Sequence, residues 1–194
     1  YGDSPYQSFS TFAGNPYYID LELLIEDGYL TKEICDSYDF GDNEHYVDYE
    51  KIYLSRFKVL KIAFDNAREQ GLTEIGDYQK FLTENAYWLD DYALYMAVKN
   101  SFGGVCFMEW DEDIRLRKAA ALRKYRKKLS EEITFYCFQQ YLFAKQWKEL
   151  KAYANKKGIE IVGDIPIYVA FDSADTWANP KLFQLDKEGR PIGV

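Results

Sequence analysis

The sequence predicts an α/β protein in which strand and loop material lies at both ends and a helical block, at about residues 30–128, lies between them. Three observations support this class. A long amphipathic run leads to Gly158 and a short apolar segment, which together resemble half of an α/β unit. The middle of the chain repeats apolar residues at steps of three and four, and the first 18 residues mix turn formers with aromatic residues.

The N-terminal residues 1–18 have the composition of an ordered loop, because aromatic residues alternate with Gly and Pro. Residues 31–48 are acidic and polar, which indicates one short helix and a loop. From Tyr49 the spacing is helical until Gly71, and two further helices are predicted at about 74–84 and 87–100.

A further helix is predicted over 112–128, and the longest helix follows it. Ser130 is expected to cap that helix, and Gly158 has the position of a helix C′ residue. Residues 159–162 are then predicted to form a short strand that ends near Asp164. The expected buried face of the longest helix consists of Ile133, Tyr136, Cys137, Tyr141, Ala144, Trp147, Leu150 and Ala154.

Composition excludes several classes of function. The net charge of −8 argues against general binding of nucleic acids, which requires a basic surface. A single histidine, His45, excludes most Ser-His, Cys-His and multi-histidine zinc sites, so carboxylates are the favoured catalytic groups. Three widely spaced cysteines and the lack of a visible signal peptide or apolar membrane span indicate a cytoplasmic protein. The chain begins with Tyr1 and ends at Val194, which suggests a piece of a longer protein.

Asp164 is the first candidate functional residue, because it stands where a predicted parallel strand ends. In parallel α/β folds this edge carries the chemistry. The alternative is an Asp that only accepts backbone hydrogen bonds in a turn. A second candidate is the pair Asp172 and Asp175 beside Trp177, which could face a sugar or could equally be exposed acids at a helix start.

Two other segments are candidate binding sites. The run 1–8 concentrates hydroxyl, carboxylate and amide groups with tyrosines, which suits a carbohydrate, or else a packed structural loop. The basic stripe of the helix at 115–128 could bind an anionic partner, but an exposed face that pairs with acidic neighbours is favoured. No phosphate-loop, dinucleotide or zinc-protease motif is present.

Long runs at both ends resemble the 4-α-glucanotransferases of the amylomaltase or disproportionating-enzyme family (glycoside hydrolase family 77). The N-terminal run begins Gly-Asp-Ser-Pro-Tyr-Gln-Ser at residues 2–8, and the C-terminal run begins Gly-Asp-Ile-Pro-Ile-Tyr-Val-Ala at 163–170. The resemblance covers essentially the whole chain in order. The matching runs are 2–10, 13–17, 87–94, 139–153, 163–170, 172–175, 177–180 and 183–186.

The resemblance implies part of a (β/α)8 TIM-type barrel with a large, mainly helical insertion, in a chain that is itself helix-rich. Residues 1–30 would be a barrel segment with a substrate loop, 31–128 the insertion, and 129–194 a barrel helix, strand and following loop. The implied reaction transfers α-1,4-glucan segments between maltooligosaccharides by a retaining double displacement, without a metal or an organic cofactor.

The same resemblance implies that this chain carries substrate-binding residues and no catalytic ones. The nucleophile and the acid/base are expected beyond Val194, so the chain alone is expected to be inactive. The implied binders are Ser4, Tyr6 and Asp164, with Tyr1 at a secondary glucan contact. Two alternatives remain open, namely a glucan hydrolase of the α-amylase clan and a non-catalytic helical module that docks a partner through 115–128. Oligomeric state is not predicted.

Overall fold

The computed structural model describes residues 8–164 and 169–192. Within these residues the secondary structure is helical, and the one β-type pairing is an isolated antiparallel bridge between Leu185 and Pro191. The chain divides into two compact units. The first unit comprises Tyr1–Ala13, Asn85–Cys137 and Val162–Val194, and the second comprises Gly14–Glu84 and Phe138–Ile161.

The described residues form eight α-helices. They are α1 (Leu21–Glu26), α2 (Lys32–Asp36), α3 (Tyr49–Glu69), α4 (Gly76–Ser101), α5 (Glu112–Arg115), α6 (Ala119–Lys128), α7 (Ser130–Lys156) and α8 (Ala174–Ala178). Short 3-10 turns occupy Pro16–Tyr18, Leu72–Glu74, Phe107–Glu109 and Pro180–Leu182.

In the second unit, side chains of two long helices hold the backbone of the segment 14–30. On α7, the Gln140 amide pairs with both the N–H and the carbonyl of Gly14, at 2.8 and 3.0 Å. Gln146 pairs in the same way with Asp20, also at 2.8 and 3.0 Å. From α3, Arg56 donates to the carbonyl of Ile19 at 2.7 Å. Backbone groups of Gly14, Ile19 and Asp20, which lie outside the helices of this segment, are thereby paired with side chains.

The core of the second unit is apolar and centred on α3 and α7. Phe64 and Phe138 are fully buried with ring centroids 5.6 Å apart. Tyr78 packs edge-on against Tyr141 at 5.2 Å. Ring pairs in tilted or edge-on geometry stabilise the fold beyond the contribution of the apolar area that they bury.

The first unit has an aromatic core. Tyr95, Trp110 and Trp177 contact one another with centroid distances of 5.3, 5.7 and 5.8 Å, and all three are at least 96% buried. Phe102 stacks on Trp110 at 5.9 Å, and Phe107 also lies against it. This cluster accounts for part of the high aromatic content seen in the sequence.

The predicted helix over 112–128 is wrong in one respect, because the chain breaks at Arg117. This residue has a φ of 54°, a left-handed conformation that is uncommon for a residue with a side chain. The N–H of Lys118 donates to the carbonyl of Asp113, and the N–H of Arg117 donates to that of Ile114. These two bonds form a Schellman end, which terminates α5 and re-aims the chain into α6.

The two helices predicted at 74–84 and 87–100 are a single helix, α4, because no residue between them breaks the backbone bonding. The helix predicted from Tyr49 is confirmed as α3, and it ends just before Gly71. The short helix predicted within 31–48 is confirmed as α2. Ser130 was expected as a cap but is the first residue of α7.

The strand predicted over 159–162 does not form in this structure. The segment is irregular, and its apolar side chains are exposed, with Val162 at 92% exposure. Strands require a partner for their backbone groups, and the described residues supply none at this position. Gly158 nevertheless ends α7 as predicted, with a φ of 76° and a bond from the N–H of Ile159 to the carbonyl of Ala154.

Candidate functional site

The described part of the first unit contains a short loop, 8–13, that is bonded to helix α8 mainly through the carboxylate of Asp175. Oδ1 of Asp175 accepts a hydrogen bond from the Ser10 hydroxyl at 3.0 Å. Oδ2 accepts from both the N–H and the hydroxyl of Thr11, each at 2.7 Å. The N–H of Ala174 donates to the carbonyl of Phe9 at 2.8 Å, which adds a backbone bond to the same junction.

The segment that leads into α8 is itself anchored by a buried ion pair. The carboxylate of Asp172 accepts from the ammonium of Lys99, from the hydroxyl of Tyr95 at 2.6 Å and from the N–H of Phe107 at 3.1 Å. The side chains of Lys99 and Asp172 are only 10% and 8% exposed. Lys99 also donates to the carbonyl of Val105 at 3.1 Å. Charges this buried persist only when such partners satisfy them.

Helix α8 is fixed on its other side by Trp177. The indole N–H donates to the carbonyl of Ile114 at 3.2 Å, and the guanidinium of Arg117 lies 4.3 Å from the ring centroid. Arg117 also forms an ion pair with Asp91 at 2.8 Å. The cation therefore contacts both an aromatic face and a carboxylate, which explains how its left-handed backbone conformation is held.

An open cleft of about 650 Å³ lies beside α8 within the first unit. Trp177, Arg117 and Phe107 line one part, and the turn that carries the bridge between Leu185 and Pro191 lines another. The Asp186 side chain stabilises that turn by accepting from the N–H groups of Glu188 and Arg190 at 2.9 and 2.8 Å. The lining mixes apolar rings with charged groups of both signs.

Of the residues that the sequence singles out, Tyr1, Ser4 and Tyr6 lie outside the described residues. Asp164 is described and is exposed to solvent. It follows the irregular segment 159–163, so the sheet edge expected to carry it is not formed by the described residues.

The structure contradicts the alternative in which Asp172 and Asp175 are exposed acids at a helix start. Neither is an exposed acid, because Asp172 is buried in the ion pair with Lys99 and Asp175 binds the loop 8–13. Ser173 caps α8 by accepting from the N–H of Thr176 at 3.2 Å. Lys99 and Tyr95 were not predicted as partners of Asp172. Their spacing of four residues on one helix face, with a lysine in an otherwise buried row, was the available signal.

Three of the eight basic residues in the stripe at 115–128 pair with acidic neighbours, namely Arg117, Lys118 and Arg126. Lys118 contacts Asp113 at 2.6 Å and Glu112 at 3.3 Å, and Arg126 lies 3.5 Å from Asp91. Together with the pair of Arg117 and Asp91, these contacts agree with an exposed face whose charges pair in part with acidic neighbours.

The described residues hold no group of three or more His, Cys, Asp or Glu side chains arranged to bind a metal ion. No described helix combines the length and apolar character needed to cross a membrane. The three cysteines are free thiols, and burial raises the pKa of the Cys137 thiol to about 12.

Comparison with known proteins gives consistent matches along the chain. The family model described as 4-alpha-glucanotransferase matches residues 1–194. The 4-alpha-glucanotransferase of Clostridium butyricum is 47% identical over 188 residues, which is 97% of this chain and 38% of that protein. The enzyme of the same name from Streptococcus pneumoniae serotype 4 is 49% identical over 191 residues, or 98% of this chain and 37% of the relative.

A solved structure agrees with the sequence comparisons. The amylomaltase from Streptococcus agalactiae in complex with acarbose matches with a TM-score of 0.94 and 43% identity, over 100% of this chain and 39% of that one. The chain therefore spans well under half the length of the relatives that it matches.

Proposed function

We propose that this chain, which belongs to the 4-alpha-glucanotransferase family, is part of an enzyme that transfers α-1,4-glucan segments between maltooligosaccharides. The observation that carries the proposal is the match of the family model from the first residue to the last, together with the close fold similarity to an amylomaltase. That amylomaltase is described with acarbose bound, which supports a glucan-like ligand for the parent of this chain.

The proposed mechanism is a retaining double displacement. It requires two carboxyl groups about 5–5.5 Å apart, one as the nucleophile and one as acid and then base. We place both beyond Val194, since the chain covers only 38% of its relative from Clostridium butyricum. Within the chain, Ser4, Tyr6 and Asp164 would hold the donor glucan, and Tyr1 would make a secondary contact.

The finer architecture is part of the same proposal. Residues 1–30 and 129–194 would belong to a (β/α)8 barrel, and 31–128 to a mainly helical insertion. The exposed apolar segment 159–162 supports this, because its side chains suit a strand that pairs with neighbours elsewhere in the protein. Free thiols in all three cysteines suit the reducing cytoplasm, which we propose as the location.

The test compares the 194-residue chain and the full-length protein on maltotriose. The full-length protein is expected to form glucose and longer oligomers without a net gain of reducing ends. The 194-residue chain is expected to form neither, because it would lack the nucleophile and the acid/base. Formation of longer oligomers by the short chain would contradict the placement of the catalytic pair, and a net gain of reducing ends would favour a hydrolase.

A further inference from the structure

Asp175 is a half-buried carboxylate of the first unit, and its contacts go to a distant part of the sequence. Three hydrogen bonds, from the Ser10 hydroxyl and from the N–H and hydroxyl of Thr11, converge on its two oxygens at 2.7–3.0 Å. Ser10 is 98% buried, so its hydroxyl has no ready exchange with solvent. The carboxylate thus fixes the position of the loop 8–13 relative to α8.

Capping of α8 does not explain these contacts. Ser173 is the cap, and its hydroxyl already accepts from the N–H of Thr176. Asp175 in the first turn interacts favourably with the helix end, yet its side chain is directed to the loop. The oxygen atoms of Asp175 therefore serve the loop rather than the helix.

Buried contacts anchor the chain on both sides of Asp175. On one side Asp172 is held by Lys99 and Tyr95, and on the other Trp177 is held by the carbonyl of Ile114. Phe9 of the loop reaches the same network, because the Lys99 ammonium lies 5.5 Å from its ring centroid. A displacement of Asp175 would need this buried set to rearrange, so its position is well determined.

We propose that Asp175 is a positioning residue of the glucan site. Its carboxylate holds the loop that continues from the proposed donor-binding residues Ser4 and Tyr6 against the segment that follows Asp164. This inference rests on the proposed function. The loop 8–13 follows Ser4 and Tyr6 in the sequence and α8 follows Asp164, so Asp175 joins two described elements that adjoin the proposed substrate-binding residues. Misplacement of substrate-binding groups by about 1 Å can cost on the order of 100-fold in rate.

The test uses the full-length protein with Asp175→Ala and Asp175→Asn. The alanine variant loses all three bonds, and kcat/KM for maltotriose is expected to fall about tenfold, mainly through KM. The asparagine variant keeps the geometry, because its carbonyl oxygen can accept both bonds from Thr11 while its NH2 donates to the Ser10 hydroxyl. It is expected to stay within about threefold of the wild type.

Asp113→Ala is the matched control, since it removes an exposed carboxylate of the same unit that pairs with Lys118 at 2.6 Å. It is expected to leave both kinetic constants unchanged. All assays are run well below the melting temperatures of the variants, and amide hydrogen exchange of residues 9–13 is measured in parallel. Faster exchange in Asp175→Ala, with near-normal exchange in Asp175→Asn, supports the proposal.

The outcomes separate this inference from the proposed function. If the wild-type protein transfers glucan and Asp175→Ala retains its kcat/KM, the positioning role is overturned. If Asp175→Asn is as impaired as Asp175→Ala, the charge rather than the loop position matters, and the role is again overturned. A wild-type protein that forms no transfer products refutes the proposed function, while the exchange measurement still decides whether Asp175 orders the loop.

Discussion

At the scale of single residues, the first unit depends on a small number of buried polar contacts whose partners are far apart in the sequence. Asp172 and Lys99 form the clearest case, because both charges are nearly excluded from solvent and each makes additional hydrogen bonds. Removing one partner of such a pair costs more than the pair contributes, since the other charge stays buried.

Lys99→Met should therefore lower the free energy of unfolding by about 3–5 kcal/mol. Asp172 would keep the bonds from Tyr95 and Phe107 but would lose its counter-charge. Lys80→Met, which removes an exposed contact with Glu84 at 3.8 Å, should change stability by about 0.5 kcal/mol or less. Urea denaturation of both variants measures the difference, and equal small effects would contradict a strongly buried pair.

Cys137 should be the least reactive of the three thiols. Burial raises its pKa from 9.0 to about 12, whereas Cys35 and Cys106 are partly exposed. At pH 8 the folded protein should be alkylated by iodoacetamide at Cys35 and Cys106 well before Cys137, and mass spectrometry of peptides gives the order.

The shifted pKa of Cys137 also has a defined effect on stability. The unfolded chain ionises this thiol near pH 9, and the folded protein ionises it only near 12. Its contribution therefore favours the folded state below pH 9 and is lost progressively between pH 9 and 12. A Cys137→Ser variant that became alkali-labile over the same range to the same extent would contradict this assignment.

Asp164 should contribute to binding of the donor glucan rather than to the chemical step. In the full-length protein Asp164→Ala should lower kcat/KM for maltotriose about 10- to 100-fold, which corresponds to the loss of a hydrogen bond to a charged group. The exposed Asp113→Ala serves again as the control. A total loss of turnover with an unchanged KM would instead indicate a catalytic carboxylate.

At the scale of elements, the sequence predicted the features that neighbouring residues determine. It missed those that depend on contacts with residues far away in the sequence. Gly158 was recognised as a helix end because helix ends follow local rules. The break at Arg117 was missed, because a left-handed arginine is held there by Trp177 and Asp91, which are remote in sequence. The buried face predicted for α7 is confirmed at Cys137 and Tyr141 but wrong at its C-terminal end, where residues 147–150 are exposed.

The contact between Gly14, the first residue of the segment 14–30, and helix α7 gives a prediction at this scale. A Cβ atom on Gly14 would lie 2.1 Å from Cδ1 of Phe143, so Gly14→Ala should force the ring or the backbone to move. The bonds between Gln140 and Gly14 would be strained by the same movement. We expect a loss of about 1–3 kcal/mol in the free energy of unfolding.

Gly76→Ala is the matched control for Gly14→Ala. A Cβ at this position would meet no atom within 4 Å, and the residue begins helix α4. Its effect should be neutral or stabilising by up to about 1 kcal/mol. Thermal unfolding of the two variants compares them directly. A Gly14→Ala protein as stable as the wild type would show that the backbone at residue 14 can move away from α7 without cost, and would contradict the prediction.

At the scale of the whole molecule, the net charge of −8 argued against general binding of nucleic acids, and the aromatic residues indicated both a core and a sugar site. The core is confirmed in the cluster of Tyr95, Trp110 and Trp177. The donor-binding roles of Ser4, Tyr6 and Asp164 stay predictions, because they came from resemblance and not from spacing or periodicity. Asp175 was a candidate, but its bonds to the loop 8–13 were not predicted, since nothing in the sequence relates it to Ser10, which lies 165 residues away.

The segment 159–162 gives the last prediction, because its sequence favours a strand and its observed conformation does not. In the 194-residue chain the backbone groups of 160–163 have no strand partner among the described residues, so their amides should exchange with solvent at nearly the intrinsic rate. In the full-length protein, which we propose to be a barrel, pairing with neighbouring strands should slow them about 100-fold or more. Ile159 is an internal control, since its N–H already donates to Ala154 at 3.0 Å in this chain. Hydrogen exchange followed by mass spectrometry makes the comparison, and equally fast exchange of 160–163 in both proteins would refute the proposed barrel strand.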